Sequence, residues 1–207
     1  MNKHEELAEL KKEMLADDSL PLKKGATNLV FGSGSPDTKV MFIGEGPGYW
    51  EDQKGIPFVG NAGALLNQLI ELAGLKRDEV FITNVVHYRP PENRDPEEDE
   101  LMAFRPYLDK MIEIIDPEVI VTLGRFSMGK FLPGVMISKV HGKKHSLMWK
   151  TKQIAVFPMY HPAAGLRNGS IKQSLYEDFK NLKKVLESSD DQKETTQATK
   201  IEQMNLI

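Results

Sequence analysis

The 207-residue chain carries 27 Lys plus Arg against 30 Asp plus Glu, a net charge of −3, and 40% of its residues are hydrophobic. That balance excludes collagen-like, mucin-like and wholly disordered chains, and it suits one α/β domain around a single core. No run approaches the ~18 apolar residues of a membrane span, and the start Met1-Asn2-Lys3-His4-Glu5-Glu6 lacks the apolar stretch of a signal peptide, so a cytosolic protein is expected.

Leu7, Leu10 and Met14 fall at helical spacing and predict an amphipathic helix over about 3–16. Pro21, Gly25, Gly32, Gly34 and Pro36 mark a long connection. Lys39-Val40-Met41-Phe42-Ile43 reads as a buried strand running into the tight loop Gly44-Glu45-Gly46-Pro47-Gly48. A helix follows from Asn61 to Ala73, closed by Gly74, then a strand over Val80–Val86. Asp95-Pro96-Glu97-Glu98 starts a third helix that ends at about Ile115, before Asp116-Pro117. Val119–Leu123 is the next strand, with a short helix near Ser127–Leu132 and β pieces expected around Val135–Val140 and Ser146–Trp149. Gln153–Pro158 is a further core strand, and the last helix is expected over about Ser170–Glu187.

This βαβαβα alternation with apolar strands predicts a three-layer α/β/α fold with a mostly parallel central sheet, in a single domain over 1–187. The polar stretch 188–207 shows no period and is expected to be a disordered tail. Its end, Lys200 to Ile207, lacks the paired aromatics of a clamp-docking peptide.

Cysteine is absent, which excludes disulfides, thiolate nucleophiles, thiolate zinc sites and conventional iron–sulfur ligation together. From Val119 to Tyr176 there is no acid, whereas Arg125, Lys130, Lys139, Lys143, Lys144, Lys150, Lys152, Arg167 and Lys172 are basic. In an acidic protein such a segment predicts a face that meets phosphates, with a merely solvated face as the alternative.

The alternation brings Glu45, Asn84 and His161 to one edge of the sheet. No nucleophile stands with a base, so covalent hydrolase chemistry is disfavoured. A metal is not expected either, since His161 has no partner at ligand spacing and the pair His141 and His145 encloses two lysines. The loop Gly44–Gly48 lacks the third glycine of a dinucleotide fingerprint and the Lys of a P-loop. Alone it reads equally as a tight turn or as a bed for a flat ligand.

Three longer motifs decide more. Gly44–Gly48 with Glu51-Asp52 and Gly55–Gly63, then Thr83-Asn84-Val85-Val86-His87-Tyr88-Arg89-Pro90-Pro91-Glu92-Asn93-Arg94, then His161-Pro162-Ala163-Ala164-Gly165-Leu166-Arg167, resemble family 4 uracil-DNA glycosylases in residue type, order and spacing. Ala163 stands where serine is common, and the resemblance runs from about Leu20 to Glu187.

The resemblance implies a uracil-DNA glycosylase-like fold and a hydrolase that flips deoxyuridine from single- or double-stranded DNA and releases uracil, the opening step of base excision repair. It implies catalytic roles for Glu45 at the sugar and His161 at uracil O2, and contacts to the base from the Gly46 backbone, Glu51, Phe58 and Asn84. Glu51 would crowd the C5 edge against thymine, Phe58 would lie under the base, and Asn84 would read O4 and N3–H. Leu166 is placed as a wedge and Arg167 as a phosphate contact, with Lys143 and Lys144 of the basic segment joining the DNA face.

The family's four-iron cluster is the point of departure, because its four cysteine positions match Asp17, Leu20, Tyr88 and Phe104. An iron-free protein is therefore expected, with a hydrophobic plug in the cluster's place. Two classes remain, an active monofunctional glycosylase and a non-catalytic protein that binds uracil-DNA or abasic DNA, with a monomer as the default state.

Overall fold

The computed structural model describes residues 1–204, with side chains through Ser188. The first helix is α1 (Lys3–Ala16), begun by a reciprocal cap in which the Asn2 and Glu5 side chains each accept the other's backbone N–H. The chain continues through β1 (Ser33–Gly34), β2 (Val40–Gly44), α2 (Tyr49–Lys54), α3 (Asn61–Leu72) and β3 (Phe81–Asn84). Next come α4 (Glu98–Ile115), β4 (Val119–Leu123), α5 (Arg125–Gly129) and α6 (Ile137–Val140). A hairpin of β5 (His145–Trp149) and β6 (Lys152–Met159) precedes α7 (Pro162–Arg167) and α8 (Gly169–Met204).

The strands form one sheet in the order β1-β3-β2-β4-β6-β5, parallel through its four inner members and antiparallel at both edges. The alternation of side chains along β2 builds two cores. Met41 and Ile43 join Leu7, Leu10 and Met14 of α1 and Phe104, Leu108 and Met111 of α4 on one face. Val40 and Phe42 join Leu66 and Leu69 of α3 and Leu175 and Phe179 of α8 on the other. The expected three-layer α/β/α arrangement is what forms.

Because β2 lies between β3 and β4, the chain winds first to one side of it and then to the other. The carboxyl ends of these strands therefore flank a topological switch point, the place where such sheets leave an open crevice.

Several elements differ from expectation. The β piece expected at Val135–Val140 is instead the single turn α6, none of whose residues is buried. Gly134, at φ +74°, makes a left-handed turn just before it. The six-residue helices α2 and α7 escaped prediction because they are too short to show a helical period. The last helix continues past Glu187 to Met204. The side chains beyond Ser188 and residues 205–207, on which the expectation of a disordered tail rests, lie outside the described residues. No helix among the described residues is long and apolar enough to cross a membrane.

Candidate active site

The carboxyl edge of the sheet holds a cleft of about 550 Å³. Glu45 and Gly46 enter it from the end of β2, Asn84 from the end of β3, Gly124 and Arg125 from the end of β4, and His161 from the end of β6. Glu51 and Phe58 close one flank and Arg167 of α7 another. The structure thus brings together all the expected catalytic and base-contacting residues.

Asn84 is the floor of this cleft, with 1% of its surface exposed. Its Oδ1 is buried and has no hydrogen-bond partner in the protein. An unmade bond of this kind costs about 1–3 kcal/mol, and of the buried unpartnered side-chain atoms among the described residues this is the one that belongs to a residue lining the cleft.

The amide is seated on Gly44, its register partner on β2. Phe58 leans over the same glycine and holds a left-handed backbone, φ +53°, that a bulky residue rarely adopts. A Cβ on Gly63 would lie 1.9 Å from the Phe58 carbonyl oxygen, so the strained turn exists only because residue 63 has no side chain. Glu51 fixes the other end of the turn, its Oε1 accepting from the amides of Val59 (2.8 Å) and Gly60 (2.9 Å). Glu51 thus lines the cleft and also anchors the Phe58 turn.

His161 faces this group, its ring stacked against Phe58 at 5.6 Å between centroids and 29° between planes. Its Nδ1 accepts the Ala163 amide at 3.1 Å. That bond requires an unprotonated Nδ1 and leaves the hydrogen on Nε2. Burial, assisted by the Arg167 charge, lowers its pKa to about 4, so at neutral pH the imidazole is an uncharged N–H donor. Glu45 is half-buried, and desolvation raises its carboxyl pKa although the Phe126 amide donates to it at 3.2 Å. Its Oε1 occupies the space where a side chain on Gly124 would stand. Above it, Arg125 pairs with Asp95 across the cleft rim.

The basic segment divides in two. Arg125, Lys130, Lys150 and Lys152 are neutralised by Asp95, Asp109, Glu113 and Asp116. Lys143 and Lys144 are exposed and Arg167 lines the cleft, and none of the three has an ion pair among the described residues. Lys139 and Lys172 are likewise exposed and outside the ion pairs of the described residues, so the positive charge left unpaired in this segment is that of Lys139, Lys143, Lys144, Arg167 and Lys172. Leu166, 48% exposed, stands beside Arg167 on α7. His141, weighed above as half of a metal pair, instead bonds Asp178 through Nδ1 at 2.8 Å.

Sequence reasoning missed Arg94 and Arg125. Arg94 lines the cleft and grips Glu100 of α4 with both terminal nitrogens, which holds the loop after Tyr88 in place. The signal was present as an arginine set against an acidic helix start. Arg125 was readable as the first residue beyond Gly124 at a strand end.

Residues 31–186 match the family model of the uracil DNA glycosylase superfamily. The chain is 50% identical over 186 residues to a type-4 uracil-DNA glycosylase of Sulfurisphaera tokodaii, covering 86% of this chain and 84% of that protein. It is 49% identical to the Saccharolobus solfataricus type-4 enzyme over 81% of this chain and 80% of that one. To the Thermotoga maritima type-4 enzyme it is 41% identical, covering 90% and 98%.

The chain belongs to the type-4 branch of the uracil-DNA glycosylase superfamily. For that family the four-iron cluster is the cofactor to account for, and the residues here do not fit it. With no cysteine in the chain there is no thiolate to hold iron. Leu20, Tyr88 and Phe104 are 6%, 3% and 0% exposed and belong to one core cluster, with the Tyr88 and Phe104 rings 6.1 Å apart. Asp17 stays at the edge, half-buried, where it accepts from Ser19 and from the Tyr107 hydroxyl at 2.7 Å. In this member α1 is tied to α4 by that packing, by the Tyr107–Asp17 hydrogen bond, by a Lys110–Glu13 ion pair at 2.9 Å and by the Lys3 ammonium on the Ile115 carbonyl at 2.8 Å.

Proposed function

We infer that the chain is a uracil-DNA glycosylase, which flips deoxyuridine out of DNA and hydrolyses its N-glycosidic bond at the start of base excision repair. The observation that carries this reading is the buried, unpartnered Asn84 Oδ1, an acceptor at the floor of a cleft of suitable size. Uracil offers N3–H to that oxygen and O4 to the amide NH₂. Cytosine presents an acceptor and a donor at those positions, so both bonds fail.

In this reading Phe58 lies against the base, while the neutral His161 donates its Nε2–H to O2. As the C1′–N1 bond breaks, both electrons pass to the uracil, and a fixed donor at O2 stabilises the anion more than the bound base. The sugar becomes cationic, and the Glu45 carboxylate faces that charge. Water then adds at C1′, its oxygen forming the new hydroxyl and its proton leaving to solvent. Lys143, Lys144 and Arg167 take phosphates, and Leu166 enters the vacated stack. We place the enzyme in the cytosol as a monomer.

The test is excision from a labelled oligonucleotide containing one deoxyuridine, with metal-free protein, alkali cleavage at abasic sites and a His161→Ala control. Release by the wild type that falls about 10²–10³-fold in the control is expected. Binding without release would leave a protein that recognises uracil-DNA or abasic DNA without turnover.

A further inference from the structure

Helix α2 carries two aromatic rings into solvent at the rim of the cleft. Tyr49 is 50% and Trp50 57% exposed, and their rings meet edge to face at 5.1 Å. Adjacent large rings left in water mark a contact surface more than a packing accident. The Arg89 guanidinium lies 5.3 Å from the Tyr49 centroid, and its Nε donates to the neutral Asn93 at 2.8 Å. Among the described residues it enters no ion pair, so its charge is free to meet an anion.

The rings stand on a rigid mount. The next two residues are Glu51, bonded to the Val59 and Gly60 amides, and Asp52, bonded to the Thr27 and Asn28 amides at 2.8 and 3.2 Å. Both carboxylates are thus spent on clamping α2 to the body of the protein. The surface is also continuous with the cleft, since Gly48 and Glu51, on either side of the two aromatics, line it.

We propose that Tyr49, Trp50 and Arg89 form a stacking platform for an unpaired DNA base adjacent to the extruded deoxyuridine, making single-stranded DNA the favoured substrate. The proposal rests on the uracil cleft described above, because it is the strand entering that cleft that must cross this rim. Aromatic faces bind bases of any sequence, and an arginine beside them holds the backbone phosphate. In a duplex the neighbouring bases stay stacked on one another and offer these rings no open face.

Trp50 and Trp149 are the chain's two tryptophans, so Trp149→Phe leaves Trp50 as the single indole reporter. This variant is titrated with uracil-free oligothymidine and with a duplex of equal length. Binding is followed by fluorescence and by anisotropy of labelled DNA, beside Trp50→Ala and Trp50→Phe. The expected result is saturable quenching by the single strand and little by the duplex. Trp50→Ala should lose about tenfold in single-strand affinity and Trp50→Phe should retain most of it. Thermal unfolding checks that the variants are folded. Single-strand binding that leaves the indole unquenched, or equal affinity in Trp50→Ala, overturns the platform, as does burial of Trp50 in a self-associated dimer. The two readings separate, since uracil release with an unchanged Trp50→Ala affinity sinks only the platform. Quenching without uracil release sinks only the glycosylase.

Discussion

A Cβ built on Gly44 would lie 2.4 Å from the Asn84 Oδ1, so the residue that ends β2 seats the amide that ends β3. The same atom would lie 2.7 Å from the Phe58 ring. A methyl group there must displace the amide, the ring or both. The backbone at Gly44 is not in the left-handed region, so Gly44→Ala should fold. Displacement of a substrate-positioning group by about 1 Å costs on the order of 10²-fold in rate, and that is the loss expected in single-turnover uracil release. An undiminished rate would show that the seat of Asn84 is unimportant.

Asn84→Asp removes the NH₂ donor and keeps an acceptor in a buried site. Uracil O4 then faces an oxygen, and the ratio of uracil to cytosine excision should fall, together with an absolute loss of about 10²-fold or more. Matched oligonucleotides carrying one deoxyuridine or one deoxycytidine measure both. Wild-type selectivity in this variant would end the edge-reading role.

The protonation state of His161 sets an acid limit on activity. With its pKa lowered to about 4 and Nδ1 committed to the Ala163 amide, the working form is the neutral imidazole. The single-turnover rate should therefore be insensitive to this group from pH 8 down to about 5 and fall as pH approaches 4. A fall with a midpoint near 6.5 that persists in Glu45→Gln, which removes the titration of the neighbouring carboxyl, would mean the histidine titrates like a free one.

Acid sensitivity of the fold follows from His87. It is wholly buried beside the rings of Phe31 and Phe104, and burial lowers its pKa to about 3 from 6.5. Thr83 gives its own hydrogen to the Phe31 carbonyl at 2.7 Å, so His87 Nε2 is the donor to Thr83 Oγ1 and Nδ1 is left unpartnered. Below pH 6.5 the unfolded chain holds a proton here that the folded chain does not. Stability present above that value is lost progressively as pH falls toward 3, by on the order of 1 kcal/mol per pH unit. Denaturant midpoints between pH 7 and 5 should fall in the wild type and fall less in His87→Leu.

The plug in place of the cluster makes a separate claim about packing. Phe104 is fully buried between Tyr88 and His87. Phe104→Ala should cost about 3–5 kcal/mol in equilibrium unfolding, the range for a large core side chain whose cavity cannot collapse. A loss below about 1 kcal/mol would mean that this packing does not replace the metal.

How much of this was legible in the sequence depended on the physics behind each feature. The apolar runs at Val40–Ile43, Val119–Leu123 and Gln153–Pro158 marked strands, because burial on both faces leaves no other pattern. The convergence of Glu45, Asn84 and His161 followed from strand order alone. The plug was readable from Leu20, Tyr88 and Phe104, since apolar residues at ligand positions leave packing as their use. What stayed hidden depends on contacts between distant segments. The Nδ1 bond of His161, the strained Phe58 turn enabled by Gly63, and the exposure of Tyr49 and Trp50 leave no periodic trace.

The basic segment illustrates the same limit and supplies a test. Read along the chain, its cations look equivalent, yet acids of the α4 region neutralise Lys130, Lys150 and Lys152, while Lys143 and Lys144 stay outside the ion pairs of the described residues. Salt dependence of DNA binding reports phosphates neutralised, with a slope of about 0.9 per contact on duplex and about 0.7 on single strands. Lys143→Glu with Lys144→Glu should weaken binding and flatten that slope by about one to two contacts. Lys150→Glu with Lys152→Glu makes the same formal charge change where the cations already face acids, and should leave the slope unchanged. Equal flattening by both pairs would restore the undivided basic face. No flattening by the first pair would remove the loop between α6 and β5 from the DNA interface.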